Sequence, residues 1–529
     1  MSKALLLIFA ITLSGAQAAQ PAITVVTGDN APALEKLAAK EVSGMLHALF
    51  DAETKHHSGL PADASPAVLV GSPGTNPAIA ALGEAFWPKL SDQGHLLKSA
   101  RVGGRDVLVV GGGSPPATLW AAYELGYRFG IRPLLNGDAL PVQKPAFHLD
   151  GFAVVLEPNL RVRAWSAFTG IASGAESWAL EDHRRLLAQL ARLKFTHVVL
   201  TSQPWQPFPG SNGAAVPGLW RDGQLRVDGD TAGRAAFKGA KFFENSSFAG
   251  AADSSALAKA AAALAAGIEA GAAPLGITVT TEAPQNARPL SLGAPKASVL
   301  PEFSFRKLST DLGAIRRARA DGFTARAVMP GDLDAAAHFV SRASFDDKLT
   351  PEGALEDLVT PICGEGVAER MLKGFAMIEQ AAKLIADNDP AVAVPDPQFL
   401  MRHEASKEAP PAWWNKAKDL YLQAMNEMYR ANTRARDGAR PFILHHAKRM
   451  EFAMQYFATL DALRKAGNAR AAGNATARAE ALEQAVEALY NGLNAFADVV
   501  RDQSERGAIA LLNAHGYHPL LRKLDELGK

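Results

Sequence analysis

Along the chain the spacing of apolar residues changes several times, and each change predicts a different kind of structure. Met1–Ala18 opens with Lys3, runs through a ten-residue apolar stretch interrupted only by Thr12 (Ala4–Leu13) and ends in Ala16-Gln17-Ala18. A positive start, a short apolar core and a small-x-small end predict a secretory signal peptide; a membrane span needs roughly 20 apolar residues. From 19 to 150, short β-branched runs alternate with helical spacing. Ile23–Thr27, Val68–Val70 and Val107–Val110 read as strands. Pro32–Phe50, with Leu34, Ala38, Val42, Met45 and Leu49 on one face, and Ala117–Phe129, stopped by Gly130, read as helices.

From Leu160 the pattern becomes strand-then-helix. Arg161–Phe168, Thr196–Thr201, Gly276–Thr281, Ser298–Leu300 and Phe323–Val328 are the expected strands. Leu180–Lys194, Ala256–Ala272 and Lys307–Ala320 are the expected helices, and Ser202–Gly250 is a long Pro/Gly/Trp-rich loop. Such alternation predicts a parallel sheet of βα units. The stretch after Pro284, broken by Pro289 and Pro295, reads as irregular. Beyond 346 the chain is almost all amphipathic helix, with long segments at Trp413–Ala435, Pro441–Lys465 and Ala477–Val500. Met425, Met428, Met450 and Met454 fall on their core stripes. The expected organisation is a signal peptide (1–18), an N-terminal α/β domain (19–150), a shortened (β/α)-barrel-like domain (151–345) and an α-helical domain (346–529). The fold class is α/β.

Composition narrows the partners. Lys+Arg number 55 against 54 Asp+Glu over 529 residues. A neutral chain without a basic tract is poorly suited to nucleic acid or anionic membranes. Cys363 is the only cysteine, which excludes an internal disulfide and any CxxC zinc or redox pair, and it reads as a small buried hydrophobe. The Gly111–Pro116 turn has proline where a dinucleotide fingerprint needs glycine, and no P-loop Lys-Ser/Thr follows. His56-His57 and His445-His446 are adjacent pairs, and neighbours in sequence do not face one point, so neither reads as a shared metal site.

Three segments carry a resemblance. Val107–Pro141 (VLVVGGGSPPATLWAAYELGYRFGIRPLLNGDALP) resembles the α/β domain preceding the catalytic barrel in α-glucuronidases and β-N-acetylhexosaminidases. Glu157–Leu200 is similar to the first βαβ unit of their (β/α)₈ barrel, and Ser341–Ile378 to the start of the helical domain after it. The resemblance implies an exported, periplasmic or secreted glycoside hydrolase of α-glucuronidase type, acting on polysaccharide-derived glycans with no metal or organic cofactor. Five strands stand where such a barrel has eight. The middle units are missing between Thr281 and Ser298, where these families keep their catalytic carboxyls. The implied barrel is therefore TIM-barrel-like but incomplete, leaving open its completion by a second copy in a homodimer. A catalytically inactive glycan-binding protein and a structural, partner-binding module are the alternatives to an active hydrolase.

Glycoside hydrolysis needs two carboxyls flanking the scissile bond, and βα folds place such groups at the C-terminal ends of strands. Glu282, Glu302 and Asp332 meet that test, with Glu302 paired to either Glu282 or Asp332. In an open sheet ordered 298, 323, 161, 196, 276, Glu282 and Asp332 are three strand steps apart, roughly 14 Å, too far to act together. If the 276 strand instead abuts the 298 strand, Glu282 and Glu302 are neighbours, and Glu302 and Asp332 lie on neighbouring strands in either arrangement. Sugars are gripped by flat aromatic faces and arginine forks. Arg163 and Trp165 share a face of the first strand, while Trp205 and Trp220, with Phe208, sit in the long loop. Arg163 is the candidate grip on a sugar acid. Trp178 reads as core, and Arg501–Arg506 as a solvated helix face or, alternatively, as a segment of the last helix reaching the barrel mouth.

Overall fold

The computed structural model describes residues 22–166, 174–200, 224–251, 253–294 and 298–527. The signal segment, Trp205, Phe208 and Trp220 lie outside them. In the N-terminal region β1 (Ala22–Val26), β2 (Glu53–His57), β3 (Ala67–Val70), β4 (His95–Val102) and β5 (Arg105–Gly112) precede a small hairpin, β6 (Arg132–Leu134) with β7 (Gly137–Ala139). β8 (Ala153–Leu156) completes a six-stranded sheet ordered β2-β1-β3-β5-β4-β8. Residues of β3 and β5 alternate between two apolar layers. Val68, Val70, Leu108 and Val110 meet the helices Ala33–Phe50 and Pro115–Arg128, while Ala67, Leu69, Val107 and Val109 fill the opposite face. Burial on both faces explains why these strands read as unbroken apolar runs.

β9 (Val162–Ser166) and β10 (His197–Val199) open the second sheet; a hairpin of β11 (Gln224–Arg226) and β12 (Phe242–Glu244) intervenes. β13 (Thr278–Thr280), β14 (Ala287–Ser291) and β15 (Gly322–Arg326) follow. The order is β13-β10-β9-β15-β14, every pair parallel. Among the described residues the sheet does not close into a barrel. One expectation is corrected. The fifth strand is Ala287–Ser291, not Ser298–Leu300. Its Pro289 is compatible with a strand because β14 is an edge, where a missing N–H is tolerated. Gly322 has a different role: a Cβ there would stand 1.7 Å from the Val162 carbonyl oxygen, so β15 can lie against β9 only with glycine at this point.

The helical region does not fold apart from this sheet. One apolar core runs from Leu134 to Leu520, joining Trp165, Phe323 and Ala325 of the strands to Phe375, Met428, Met450 and Phe496 of the helices. Cys363 is buried in it. After the long helices Ala412–Arg434, Arg440–Ala471 and Ala475–Ala497, the chain turns back through Gln503–Leu512.

The N-terminal region is fastened to the rest by a buried carboxylate. Glu124, in the Pro115–Arg128 helix, accepts from Lys194 Nζ at 2.5 Å, Arg342 NH1 at 2.7 Å and Arg128 Nε at 2.9 Å. Burial alone would raise its pKa, but the surrounding cations outweigh that and hold it well below the usual range. Removing one partner from such a cluster strands the others in low dielectric. Glu124→Leu is expected to cost about 3–5 kcal/mol in urea unfolding, against ~0.5 kcal/mol or less for Asp387→Ala in the exposed Lys383–Asp387 pair.

Candidate functional site

β14 and β15 are neighbours, and the segments leaving their C-terminal ends carry Glu302 and Asp332. Glu302 is buried, and its Oε1 has no hydrogen-bond partner. Burial pushes its pKa up to about 7, with the Ser298 hydroxyl partly opposing the shift. Asp332 closes the turn Pro330–Asp332 and is equally buried. There the balance is reversed. Burial would raise its pKa, but Arg449 grips both oxygens, Nε to Oδ1 at 2.9 Å and NH2 to Oδ2 at 2.6 Å, and the carboxylate is held well below its ordinary range. The two carboxyls, with Ser298, Leu300, Met329 and Leu333, line a cavity of about 20 Å³. That is room for about one water molecule. Across one small space, then, stand an acid that keeps its proton near neutral pH and a carboxylate that does not.

The other sequence candidates are not brought to this place. Glu282 is exposed and follows β13, the edge opposite β14, so the open sheet separates it from both Glu302 and Asp332. Arg163 points toward the N-terminal region. Its guanidinium donates to the Lys194 and Leu160 carbonyls at 2.6 and 2.7 Å and to Gln93 Oε1 at 3.1 Å, between the rings of Trp120 and Phe345. The expected grip on a sugar acid is therefore replaced by a fully buried role at the junction of the two sheets. Trp165 is core, edge-on to Phe195 at 5.6 Å. Trp178 is buried as expected, and its Nε1 donates to Ser504 Oγ at 2.7 Å.

What sequence reasoning missed comes from the helices. Arg449 and His445 lie one turn apart in the Arg440–Ala471 helix, both fully buried. His445 Nδ1 donates to the Val499 carbonyl at 3.2 Å, and its Nε2 lies 3.4 Å from Asp332 Oδ1 and 3.6 Å from Glu505 Oε1. The segment read as a solvated face is turned inward. Asp502, Ser504 and Glu505 are buried, and Arg501 pairs with Asp334 at 2.9 Å. Burial, then the nearby Asp502 and Asp332, push Glu505 up to about 8. Gly331 makes room for it, since a Cβ there would stand 2.4 Å from Glu505 Oε1. The detectable signal was a run of His and Arg inside an otherwise apolar helical stripe, Phe442-His445-Arg449-Phe452-Tyr456. Elsewhere, a cleft of about 830 Å³ opens beside the last helix, lined by Tyr490, Tyr517, Asp228, Asp230, Arg226 and Arg522.

No family model matches the chain, and no curated protein matches it in sequence. Among solved structures it is similar to a GH115 4-O-methyl-α-glucuronidase with specificity for decorated arabinogalactans, at 12% identity and a TM-score of 0.54, over 93% of this chain and 79% of that one. A GH138 enzyme targeting pectin rhamnogalacturonan II is 8% identical with a TM-score of 0.48, over 96% of this chain and 100% of the other. A GH84 protein is 10% identical with a TM-score of 0.40, covering 96% of each chain. The first of these likenesses, at a TM-score of 0.54, gives the chain a glycoside-hydrolase-like fold.

The Glu302 shift has a stability consequence. Because its folded-state pKa lies above its ordinary value, the folded chain holds a proton that the unfolded chain releases between about pH 4.5 and 7. Its contribution to stability is thus complete below that window and is lost as pH rises through it, by roughly 3 kcal/mol. Glu302→Gln is expected to reduce the fall in stability between pH 5 and 8, read by urea unfolding at the two pH values. An unchanged profile would show that Glu302 ionises freely.

Proposed function

We propose that the chain is an exported, carbohydrate-active protein that hydrolyses glycosidic bonds, α-glucuronidase-like in its choice of polysaccharide-derived glycans. The observation that carries the reading is that Glu302, buried with Oε1 unpaired, and Asp332, clamped by Arg449, face one cavity beyond the C-terminal ends of adjacent parallel strands. Environments that drive two carboxyls apart in this way sort them into acid and anion. In the proposed reaction Glu302 gives its proton to the departing glycosidic oxygen as that C–O bond breaks. Asp332, kept ionised by Arg449, stabilises positive charge at the sugar carbon, and a water then bonds to that carbon and returns a proton to Glu302. A sugar ring is far larger than the cavity, so turnover requires the site to open. The glycoside-hydrolase-like fold supports the reaction class, and Met1–Ala18 supports export.

A second reading is a glycan-binding protein without turnover. Two observations favour it: both Asp332 oxygens are occupied by Arg449, and the open cleft offers Tyr490 and Tyr517 beside acidic and arginine side chains. Glu302→Gln separates the readings. Hydrolysis of aryl glucuronides is expected to fall by about 10²–10⁴-fold; unchanged hydrolysis removes Glu302 from the chemistry. Under the second reading no hydrolysis is detected with either form, and glycan-array binding survives Glu302→Gln but is lost with Tyr490→Ala. Export is checked by the N-terminus of the protein recovered outside the cytoplasm, expected to begin at Ala19.

A further inference from the structure

Asp332, His445 and Glu505 come from three separate elements, the turn after β15, the Arg440–Ala471 helix and the Gln503–Leu512 helix, and converge at one buried point. One donor atom from each lies within 4.8 Å of the other two. Behind that point every ligand is held by a second contact. His445 Nδ1–H is spent on the Val499 carbonyl, which leaves the Nε2 lone pair of the neutral ring facing inward. Asp332 is clamped by Arg449, which also donates to the Val299 carbonyl at 2.8 Å. Glu505 Oε2 accepts the backbone N–H groups of Arg501 and Asp502, leaving Oε1 directed inward.

The two inward atoms, His445 Nε2 and Glu505 Oε1, have no hydrogen-bond partner, although both side chains are fully buried. An imidazole lone pair facing two carboxylate oxygens is repulsive unless a metal ion or a proton stands between them. The separations of 3.4 and 3.6 Å between His445 Nε2 and the two carboxylate oxygens are of the order that ligands ~2.0–2.2 Å from one zinc ion require. One imidazole with two carboxylates suits a transition ion, whereas magnesium and calcium favour all-oxygen shells. Outer contacts that fix each ligand's orientation are what a metal site requires.

We propose that Asp332, His445 and Glu505 bind a divalent transition-metal ion, zinc by its donor set, which ties the helical region to the C-terminal end of the second sheet. The site shares Asp332 with the proposed reaction but does not involve Glu302, so it survives if the reading of Glu302 as an acid fails. It also departs from the resemblance, which implied no metal. The alternative occupant is a proton on Glu505.

The test uses the full mature chain, stripped with chelator and titrated with ZnCl₂. One zinc per chain by elemental analysis after dialysis, and a melting temperature raised by several degrees, are expected. Glu505→Gln is the informative variant. Its amide can still accept the two backbone N–H groups and donate to His445, so the chain folds, but the anionic ligand is gone. Zinc affinity should drop roughly 100-fold or more, while the variant His56→Ala/His57→Ala at the surface keeps it. If His445→Ala does not fold, cobalt substitution in the unmutated chain still reports, with a visible spectrum of low-symmetry nitrogen–oxygen coordination. Failure to bind zinc stoichiometrically, or binding unchanged by Glu505→Gln, overturns the proposal and leaves the proton as the occupant.

Discussion

Asp332 and Arg449 form the contact on which the arrangement around the second sheet depends. The acid is supplied by the turn that ends β15, the base by the middle of a 32-residue helix, and the two meet with almost no solvent access. Two desolvated charges attract strongly enough to offset their burial only when geometry is good and the remaining donors are satisfied. Here the fork is bidentate, and the second role of NH2, to the Val299 carbonyl, fixes its plane. The helix is thereby set at one height against the strand ends, and His445, one turn earlier, is carried to the same point.

From that contact follows the asymmetry of the carboxyls. Asp332 has a cation and stays charged; Glu302, facing the same small cavity with only Ser298 in support, does not. The same logic reaches Glu505 and Asp502, which share a helix N-terminus and, both buried, cannot both ionise cheaply. Proton placement around the strand ends is therefore decided by which carboxyl Arg449 reaches. That links a packing feature of the helical region to whatever chemistry the strand ends support.

Much of the architecture was legible in the chain. Valine-rich runs such as Val68–Val70 and Val107–Val110, and the strand–helix alternation after Leu160, depend on short-range spacing, which burial rewards directly. The missed strand shows the limit. Pro289 argues against a central strand but is tolerated at an edge, and edge position is a property of the whole sheet. Polar strands such as Glu53–His57, exposed along most of their length, carry no apolar signal at all. The site was half legible. Position after a strand pointed to Asp332 and equally to Glu282, which only the strand order separates, while Glu302 was reached through Ser298–Leu300, a segment that is not a strand. Arg163 shows that an inward arginine on a strand can serve a domain junction. Arg449, His445 and Glu505 depend on three helices converging, a long-range fact that no local window contains.

The most direct test of the account is a carboxyl ¹³C titration of the glutamates, with Glu302 assigned by the signal that disappears in Glu302→Gln. The account predicts that this carboxyl titrates near pH 7 and that substituting Arg449 with methionine, by freeing Asp332 from its clamp, alters its titration. A Glu302 signal already fully ionised at pH 5, and indifferent to Arg449, would contradict it.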